Sequence, residues 1–195
     1  MTKKESILTA AQEAFGQNGY SRTTMKDVST RANVSFGLVS HYYGNKQDLF
    51  IAAGSAMVDS VIEHLREATG NAKNGLDAIH NYMTAYFDFT NAHRMTFPVL
   101  LRCSPFSHIE PGVDASRVAE KFQVIIDTIR ECVSMGITDG SIREMPVEEA
   151  SLIIYGNIVG AVRTKLLTPY GTDNIYDETT KFTLRSLKPQ SADCG

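Results

Sequence analysis

Apolar residues recur at helical spacing along most of the chain. Near the N-terminus this pattern predicts a helix over about residues 4–18, which Asn18-Gly19 ends, and a second over 25–32, capped by Thr23 or Thr24. Ser35 is a good N-cap for a third, short helix over 36–43, after which Gly44-Asn45 stops it. The close spacing of the second and third helices predicts a helix-turn-helix.

The third helix has one face that is difficult to explain by packing alone. Val39 and Tyr43 lie four residues apart and are expected to face the core. The opposite face then carries the bulky residues Phe36, Leu38, His41 and Tyr42. This face either contacts a partner outside the chain or consists of ordinary core positions of a short helix.

The remainder of the chain also reads as helical. Asn45 caps a predicted long helix that reaches Thr69. Further helices are predicted over about 76–93, 95–103, 116–135, 146–167 and 175–187, with a turn over 136–142 and a loose tail over 189–195. We therefore predict an all-α fold, with an N-terminal three-helix domain containing the helix-turn-helix at 1–46 and a larger helical domain at 47–188.

Composition removes several classes of protein. The 195 residues are 43% hydrophobic but contain no run of 18 apolar residues, and the N-terminus lacks the apolar core of a signal peptide, so we expect a cytoplasmic protein with no membrane span. The three cysteines, Cys103, Cys132 and Cys194, lack the paired spacing of a zinc site. They fit two packed thiols and one tail thiol better than a redox sensor, and we expect no metal and no cofactor.

Charge is distributed unevenly between the two predicted domains. Residues 1–46 contain six basic and three acidic residues, a formal charge of +3, whereas the other 149 residues contain 13 basic and 19 acidic residues, a formal charge of −6. A polyanion would therefore favour the N-terminal quarter. A difference of this size also fits chance variation of surface charge.

A specific resemblance lies in the same quarter. The run Ile7-Leu8-x-Ala10-Ala11-x-x-x-Phe15-x-x-x-Gly19-Tyr20-x-x-Thr23-Thr24-x-x-x-Val28, continued by Val34-Ser35-x-Gly37 and by His41-Tyr42-Tyr43-x-x-Lys46-x-x-Leu49, resembles the DNA-binding domain of the tetracycline-repressor (TetR) family. The variant Ser40-His41-Tyr42-Tyr43 is similar to the branch that includes the repressor of choline and betaine metabolism. Asn33 replaces the usual glycine of the turn, and Ser40 replaces a common tyrosine.

The resemblance implies which residues contact DNA. The second helix would cross the DNA backbone while the third enters the major groove. Phe36 and Leu38 would read thymine methyl groups or shape, and His41 would donate to purine N7. Phosphate contacts would come from Thr24, Ser40, Tyr42 and Lys46, while Gly37 would leave room for the groove. Taken alone, Lys46 would read as an ordinary surface lysine.

The resemblance also implies a ligand pocket and a dimer in the second domain. The candidate lining residues are mostly aromatic, and the alternative for each is ordinary core packing; they are Tyr82, Tyr86, Phe89, His93, Phe97, Phe106, His108 and Phe122. The last two long helices would form a four-helix dimer interface, for which Gly156-x-x-x-Gly160 is suitable, although tight packing within one subunit would explain these glycines as well.

The sequence therefore predicts a homodimeric transcriptional regulator, released as a repressor from a palindromic operator by a partly apolar small molecule. Two reading helices about 34 Å apart would reach successive turns of double-stranded DNA. An enzyme is disfavoured, since no His-Glu-x-x-His helix, phosphate-binding glycine loop or nucleophile elbow occurs. The alternative is a helical protein-interaction adaptor that does not bind DNA.

Overall fold

The computed structural model of the chain describes residues 2–105 and 116–189. All regular elements in these ranges are α-helices, which confirms the predicted all-α fold. They are α1 (Lys3–Arg22), α2 (Met25–Arg31), α3 (Phe36–Tyr43), α4 (Lys46–Thr69), α5 (Gly75–Ala92), α6 (Pro98–Cys103), α7 (Ser116–Asp139), α8 (Val147–Leu167) and α9 (Ile175–Leu187).

The predicted end of α1 is only partly correct. The backbone leaves helical geometry at Gly19, with φ 79° and ψ 172°, but a further turn follows and the helix ends at Arg22. Glycine is the residue that adopts this conformation without strain. The Thr23 hydroxyl stabilises the break, since its Oγ1 lies 2.8 Å from the Gly19 carbonyl oxygen and 3.1 Å from that of Ala14.

Two compact units divide the chain, and the first comprises the described parts of residues 1–60 and 93–123. It includes α6 because this helix packs closely on α1: the Arg102 Nε donates to the Gly16 carbonyl oxygen at 3.0 Å. A Cβ on Gly54 of α4 would lie 2.4 Å from the Cys103 sulfur, so α6 also lies directly on α4. The predicted boundary at residue 46, between the DNA-binding domain and the second domain, does not coincide with this division into units. It stays a prediction.

The second unit comprises residues 61–92 and the described part of 124–195. Here the predicted turn at 136–142 is wrong in its first part, because α7 continues to Asp139. The reason is a close helix contact: a Cβ on Gly75 would lie 2.1 Å from the Gly136 backbone nitrogen. Gly75 thus permits the two backbones to approach, and Gly136 leaves room for the Ile142 side chain, which its Cβ would meet at 2.4 Å. Gly140, with φ 78°, makes the turn.

The start of α5 depends on side chains at the end of α7 and directly after it. The Gly75 amide donates to the Asp139 carboxylate at 2.8 Å, and the Leu76 amide donates to the Ser141 hydroxyl at 3.0 Å. Hydrogen bonds from Ser141 and from the Gly75 amide lower the pKa of Asp139. Two of the amides that a helix N-terminus leaves without helical partners are thereby satisfied.

None of the helices in residues 2–105 and 116–189 has the length and apolarity needed to span a membrane.

Candidate nucleic-acid interface

Helix α3 has the boundaries that the sequence predicted, and its caps explain why. The Ser35 hydroxyl accepts a hydrogen bond from the Leu38 amide at 3.2 Å. At the other end, Gly44 has φ 69°, and its amide donates to the Ser40 carbonyl oxygen at 2.8 Å. A helix of only two turns is marginal by itself, so these caps and its packing hold it.

The inner face of α3 fixes the helix to the first unit. Val39 is fully buried and Tyr43 is half-buried, as predicted from their spacing. The Tyr43 hydroxyl donates to the Lys4 carbonyl oxygen of α1 at 3.4 Å, and burial raises the pKa of this phenol. The orientation of α3 therefore follows that of α1.

The outer face of α3 is open. Phe36 is 56% exposed and Tyr42 is 42% exposed, and His41 is also exposed beside Tyr42, with ring centroids 5.6 Å apart. Leu38 and Ser40 are half-buried. The alternative that Phe36, His41 and Tyr42 are core positions is therefore wrong. Large apolar groups left exposed on a small helix are typical of a binding surface.

Gly37 lies on this exposed side, where no contact with the described residues requires a glycine. A Cβ built on Gly37 meets no atom within 4 Å, and its φ is not in the left-handed region. Glycine in a helix is less favourable than alanine by about 0.5–1 kcal/mol. No contact within the described residues offsets that cost. Close approach of a partner outside the chain would explain the glycine.

Thr24 caps α2, and this role restricts its predicted phosphate contact. Its hydroxyl accepts from the Asp27 amide at 3.1 Å and donates to the Asp27 carboxylate at 2.8 Å, where the Thr24 amide also donates. These bonds lower the pKa of Asp27. A hydroxyl has one proton to donate. Thr24 would therefore have to exchange its bond to Asp27 for one to a phosphate.

Lys46 is the first residue of α4, directly after the turn that follows α3. Its Nζ lies 4.3 Å from the centroid of the Tyr20 ring and donates to the Ser21 carbonyl oxygen at 3.4 Å. This is not the arrangement of a freely moving surface lysine. This contact of Tyr20 could not be predicted from the sequence, because a contact across 26 positions leaves no trace in local spacing.

The predicted pocket residues on α5 are buried in the second unit. Tyr82 and Tyr86 are fully buried with ring centroids 6.4 Å apart, and the Tyr82 hydroxyl donates to the Ile125 carbonyl oxygen at 2.9 Å. Burial raises the pKa of both phenols. Phe89 is buried beside His64, with ring centroids 5.5 Å apart. His64 is therefore a further neighbour of the predicted pocket residues, one that helical spacing did not predict.

The other pocket candidates are not on α5. Phe97 and Phe122 are fully buried in the first unit, and His93 is exposed in the turn after α5. Phe106 and His108 lie outside the described residues. In the part of the chain that the structure describes, no three His, Cys, Asp or Glu side chains are grouped so that they could hold a metal ion. Cys103 and Cys132 are buried, and burial raises their pKa to about 12 and about 11.

The pair of helices α8 and α9 carries an exposed apolar surface. Ile153 is 63% exposed and Phe182 is 69% exposed. A Cβ on Gly156 or Gly160 would meet no atom within 4 Å, so packing among the described residues requires neither glycine. The alternative that these glycines serve tight packing within one subunit is therefore not supported.

Comparison with known proteins gives a family match at this interface. Residues 7–53 match the family described as bacterial regulatory proteins, tetR family, a range that contains α2, α3 and Lys46. The chain is 40% identical over 50 residues to the HTH-type transcriptional regulator BetI of Paraburkholderia phymatum, a match that covers 26% of each chain. This match agrees with the branch similarity predicted from residues 40–43.

The similarity to other regulators extends beyond this domain. The chain is 24% identical over 177 residues to the fatty acid metabolism regulator protein of Bacillus subtilis, covering 90% of this chain and 87% of that one. Among solved structures, the transcriptional regulator FadR of Bacillus subtilis in complex with stearoyl-CoA superposes with a TM-score of 0.80 at 18% identity, covering 94% of this chain and 99% of the other. At this identity the structural likeness shows the fold.

Proposed function

We propose that this chain, which belongs to the tetR family of bacterial regulatory proteins, represses transcription as a dimer on a palindromic operator and leaves it when a small molecule binds. The chain is a ligand-responsive, DNA-binding transcriptional regulator and not an enzyme, as the sequence predicted. Repression, the palindrome and the nature of the effector are the proposed parts. Binding to bacterial DNA also implies that the protein is located in the cytoplasm.

The observation that carries the DNA-binding part is the open outer face of α3, held rigidly from behind. Phe36, His41 and Tyr42 extend from a helix that Val39 and Tyr43 fix to the first unit. A helix of this size fits the major groove, where apolar groups contact thymine methyls and a histidine can donate to purine N7. Ser40, Tyr42 and Lys46 supply hydroxyl or ammonium donors for phosphates.

The dimer is supported by the exposed face of α8 and α9. Ile153 and Phe182 would be covered by a second copy, and Gly156 and Gly160 would allow helices of the two copies to approach. A twofold dimer presents two α3 helices, which suits an operator with two half-sites one helical turn apart, about 34 Å.

We propose a partly apolar effector that binds around the α5 aromatic residues. Tyr82, Tyr86 and Phe89 offer apolar rings and phenol groups in the interior of the second unit. The fold is shared with the transcriptional regulator FadR of Bacillus subtilis, whose structure was solved in complex with stearoyl-CoA, so long-chain acyl-CoA is the first class to test. Coenzyme A without the acyl chain is the matched control, because it lacks only the apolar part.

Release would follow from a shift in population. If the effector binds more tightly to a form whose two α3 helices do not span successive major grooves, it lowers affinity for the operator, and DNA lowers affinity for the effector by the same factor. A spin label at Lys26→Cys of α2, in a Cys194→Ser background, would report the distance between the helix-turn-helix units of the two copies. An equal distance with and without bound effector would refute this route.

The central experiment is a gel shift with DNA from upstream of the gene of this protein. We expect sequence-dependent retention that scrambled DNA does not compete away, and loss of retention with stearoyl-CoA but not with coenzyme A. Lys46→Ala should weaken binding to all sequences alike and flatten the salt dependence. Absence of retention even at low salt would contradict the proposal and favour the adaptor alternative.

A further inference from the structure

We infer that Tyr20 is a positioning residue for DNA binding: its ring holds the Lys46 ammonium where a phosphate contact requires it. The inference rests on the proposed role of Lys46 as a phosphate ligand. It goes further by assigning the strength of that contact to a residue that is not itself expected to contact DNA.

The Tyr20 ring is a fixed support. It stacks on Phe15 of α1, with centroids 6.2 Å apart and planes 19° apart, and contacts Phe50 of α4 at 5.2 Å. Phe15 and Phe50 are themselves almost completely buried and lie edge to face at 5.0 Å. Three mutually packed rings have little freedom to move.

The backbone break in α1 gives Tyr20 this place. Gly19 adopts φ 79° and ψ 172°, so the turn that contains Tyr20 no longer follows the axis of the preceding helix. The Thr23 hydroxyl, 2.8 Å from the Gly19 carbonyl oxygen, stabilises the new direction. The extra turn of α1 beyond its predicted end at Asn18-Gly19 thus places the Tyr20 ring beside Lys46.

The ammonium of Lys46 is held on two sides. The Tyr20 ring lies 4.3 Å from Nζ, within the range of a cation–π interaction, and the Ser21 carbonyl oxygen accepts from Nζ at 3.4 Å. An ammonium has three N–H donors, so this arrangement leaves donors for a phosphate oxygen.

Holding the lysine matters because a free lysine loses much rotamer freedom when it binds. Both long basic side chains carry large rotamer entropy, and ordering one before binding removes part of that cost from the association. The cation–π contact corresponds to about a two- to fivefold effect in affinity at each half-site. A symmetric dimer would therefore lose about four- to 25-fold without the ring.

The test is a double-mutant cycle on DNA binding, using a fluorescein-labelled duplex of unrelated sequence at several salt concentrations. Tyr20→Phe, which keeps the ring, should bind as the wild type does. Tyr20→Leu should weaken binding in the presence of Lys46 but cause no further loss in a Lys46→Ala background. Urea unfolding of each variant separates these effects from a loss of folding.

Each other outcome overturns the inference in a distinguishable way. A loss with Tyr20→Phe equal to that with Tyr20→Leu would assign the effect to the hydroxyl. Additive losses from Tyr20→Leu and Lys46→Ala would show that the residues act independently. If Lys46→Ala changes neither the affinity nor the salt slope, the phosphate contact of Lys46 itself is refuted. Tyr20 would then have no phosphate contact to position.

A second measurement does not require the leucine variant to fold. The ring current of Tyr20 should shift the NMR signals of the Lys46 ε-methylene protons upfield in the wild-type protein and in Tyr20→Phe. Lys46→Ala identifies these signals by their disappearance. Random-coil shifts for the ε-methylene protons in a folded protein would show that the ammonium is not held on the ring, and would overturn the inference.

Discussion

Replacement of Gly37 by alanine should make the protein more stable and a weaker DNA binder. The added methyl group would meet no atom of residues 2–105 and 116–189 within 4 Å, and Gly37 does not occupy the left-handed region. A Gly→Ala change under these conditions raises the free energy of unfolding by about 0.4–1 kcal/mol, chiefly because it restricts the unfolded chain. For a chain of this size, that gain corresponds to about 1–4 °C in Tm.

The same methyl group would lie between α3 and the DNA. A side-chain atom forced into a closely packed interface costs about 1–3 kcal/mol, so we expect about a fivefold to more than hundredfold loss of affinity at each half-site. Thermal unfolding and fluorescence anisotropy with the upstream DNA would measure the two effects on the same sample.

Ser60→Ala is a matched control for Gly37→Ala. Ser60 is exposed on α4, about 20 Å along the helix axis from Lys46. Alanine there should also stabilise its helix, by a few tenths of a kcal/mol, without any effect on DNA binding. Wild-type affinity of the Gly37→Ala protein would refute the close approach of DNA at Gly37, and a loss of stability would refute the absence of internal contacts.

Three further predictions concern other parts of the chain. Gly54→Ala should lower the free energy of unfolding by about 1–3 kcal/mol, since its Cβ would lie 2.4 Å from the Cys103 sulfur; addition of Cys103→Ala should recover part of the loss in urea unfolding, and strictly additive losses would contradict the clash. Phe182→Lys should yield monomers in sedimentation experiments with unchanged helicity, because the ring is 69% exposed; an unchanged mass would argue against this interface. The hydrogen bonds from Thr24 lower the pKa of Asp27, so the stability they contribute is present above about pH 4 and is lost as the pH falls through the lowered pKa. Asp27→Asn should therefore lower Tm at neutral pH and flatten its fall in acid, whereas a Tm profile parallel to that of the wild type would disprove the linkage.

Local signals were sufficient for the elements with local causes. Ser35 and Gly44 define α3 through hydrogen bonds to residues three or four positions away, and the Asn45 side chain accepts from the Asp48 amide at 2.9 Å at the predicted start of α4. Because these caps act within one turn, sequence spacing reveals them. The exposure of Phe36 was predicted in the same way, from the inward direction of Val39.

Long-range contacts account for the errors. Gly136 reads as a turn residue, but it lies within α7, where Gly75 packs on its backbone from 61 positions away. Tyr20 and Lys46 meet where Gly19 redirects the end of α1 and Phe50 packs on the Tyr20 ring. Among the pocket candidates, helical spacing alone did not distinguish Tyr82 in the interior from His93 on the surface.

The start of α5 also has a consequence for how the second unit opens. Because the Gly75 and Leu76 amides donate to Asp139 and Ser141, more than 60 residues further along the chain, α5 cannot unwind at its first turn without releasing the segment after α7. The rate of hydrogen exchange at these two amides should therefore change together with the rate near the end of α7. The Gly75 and Leu76 amide protons would thus report whether α5 and α7 open cooperatively.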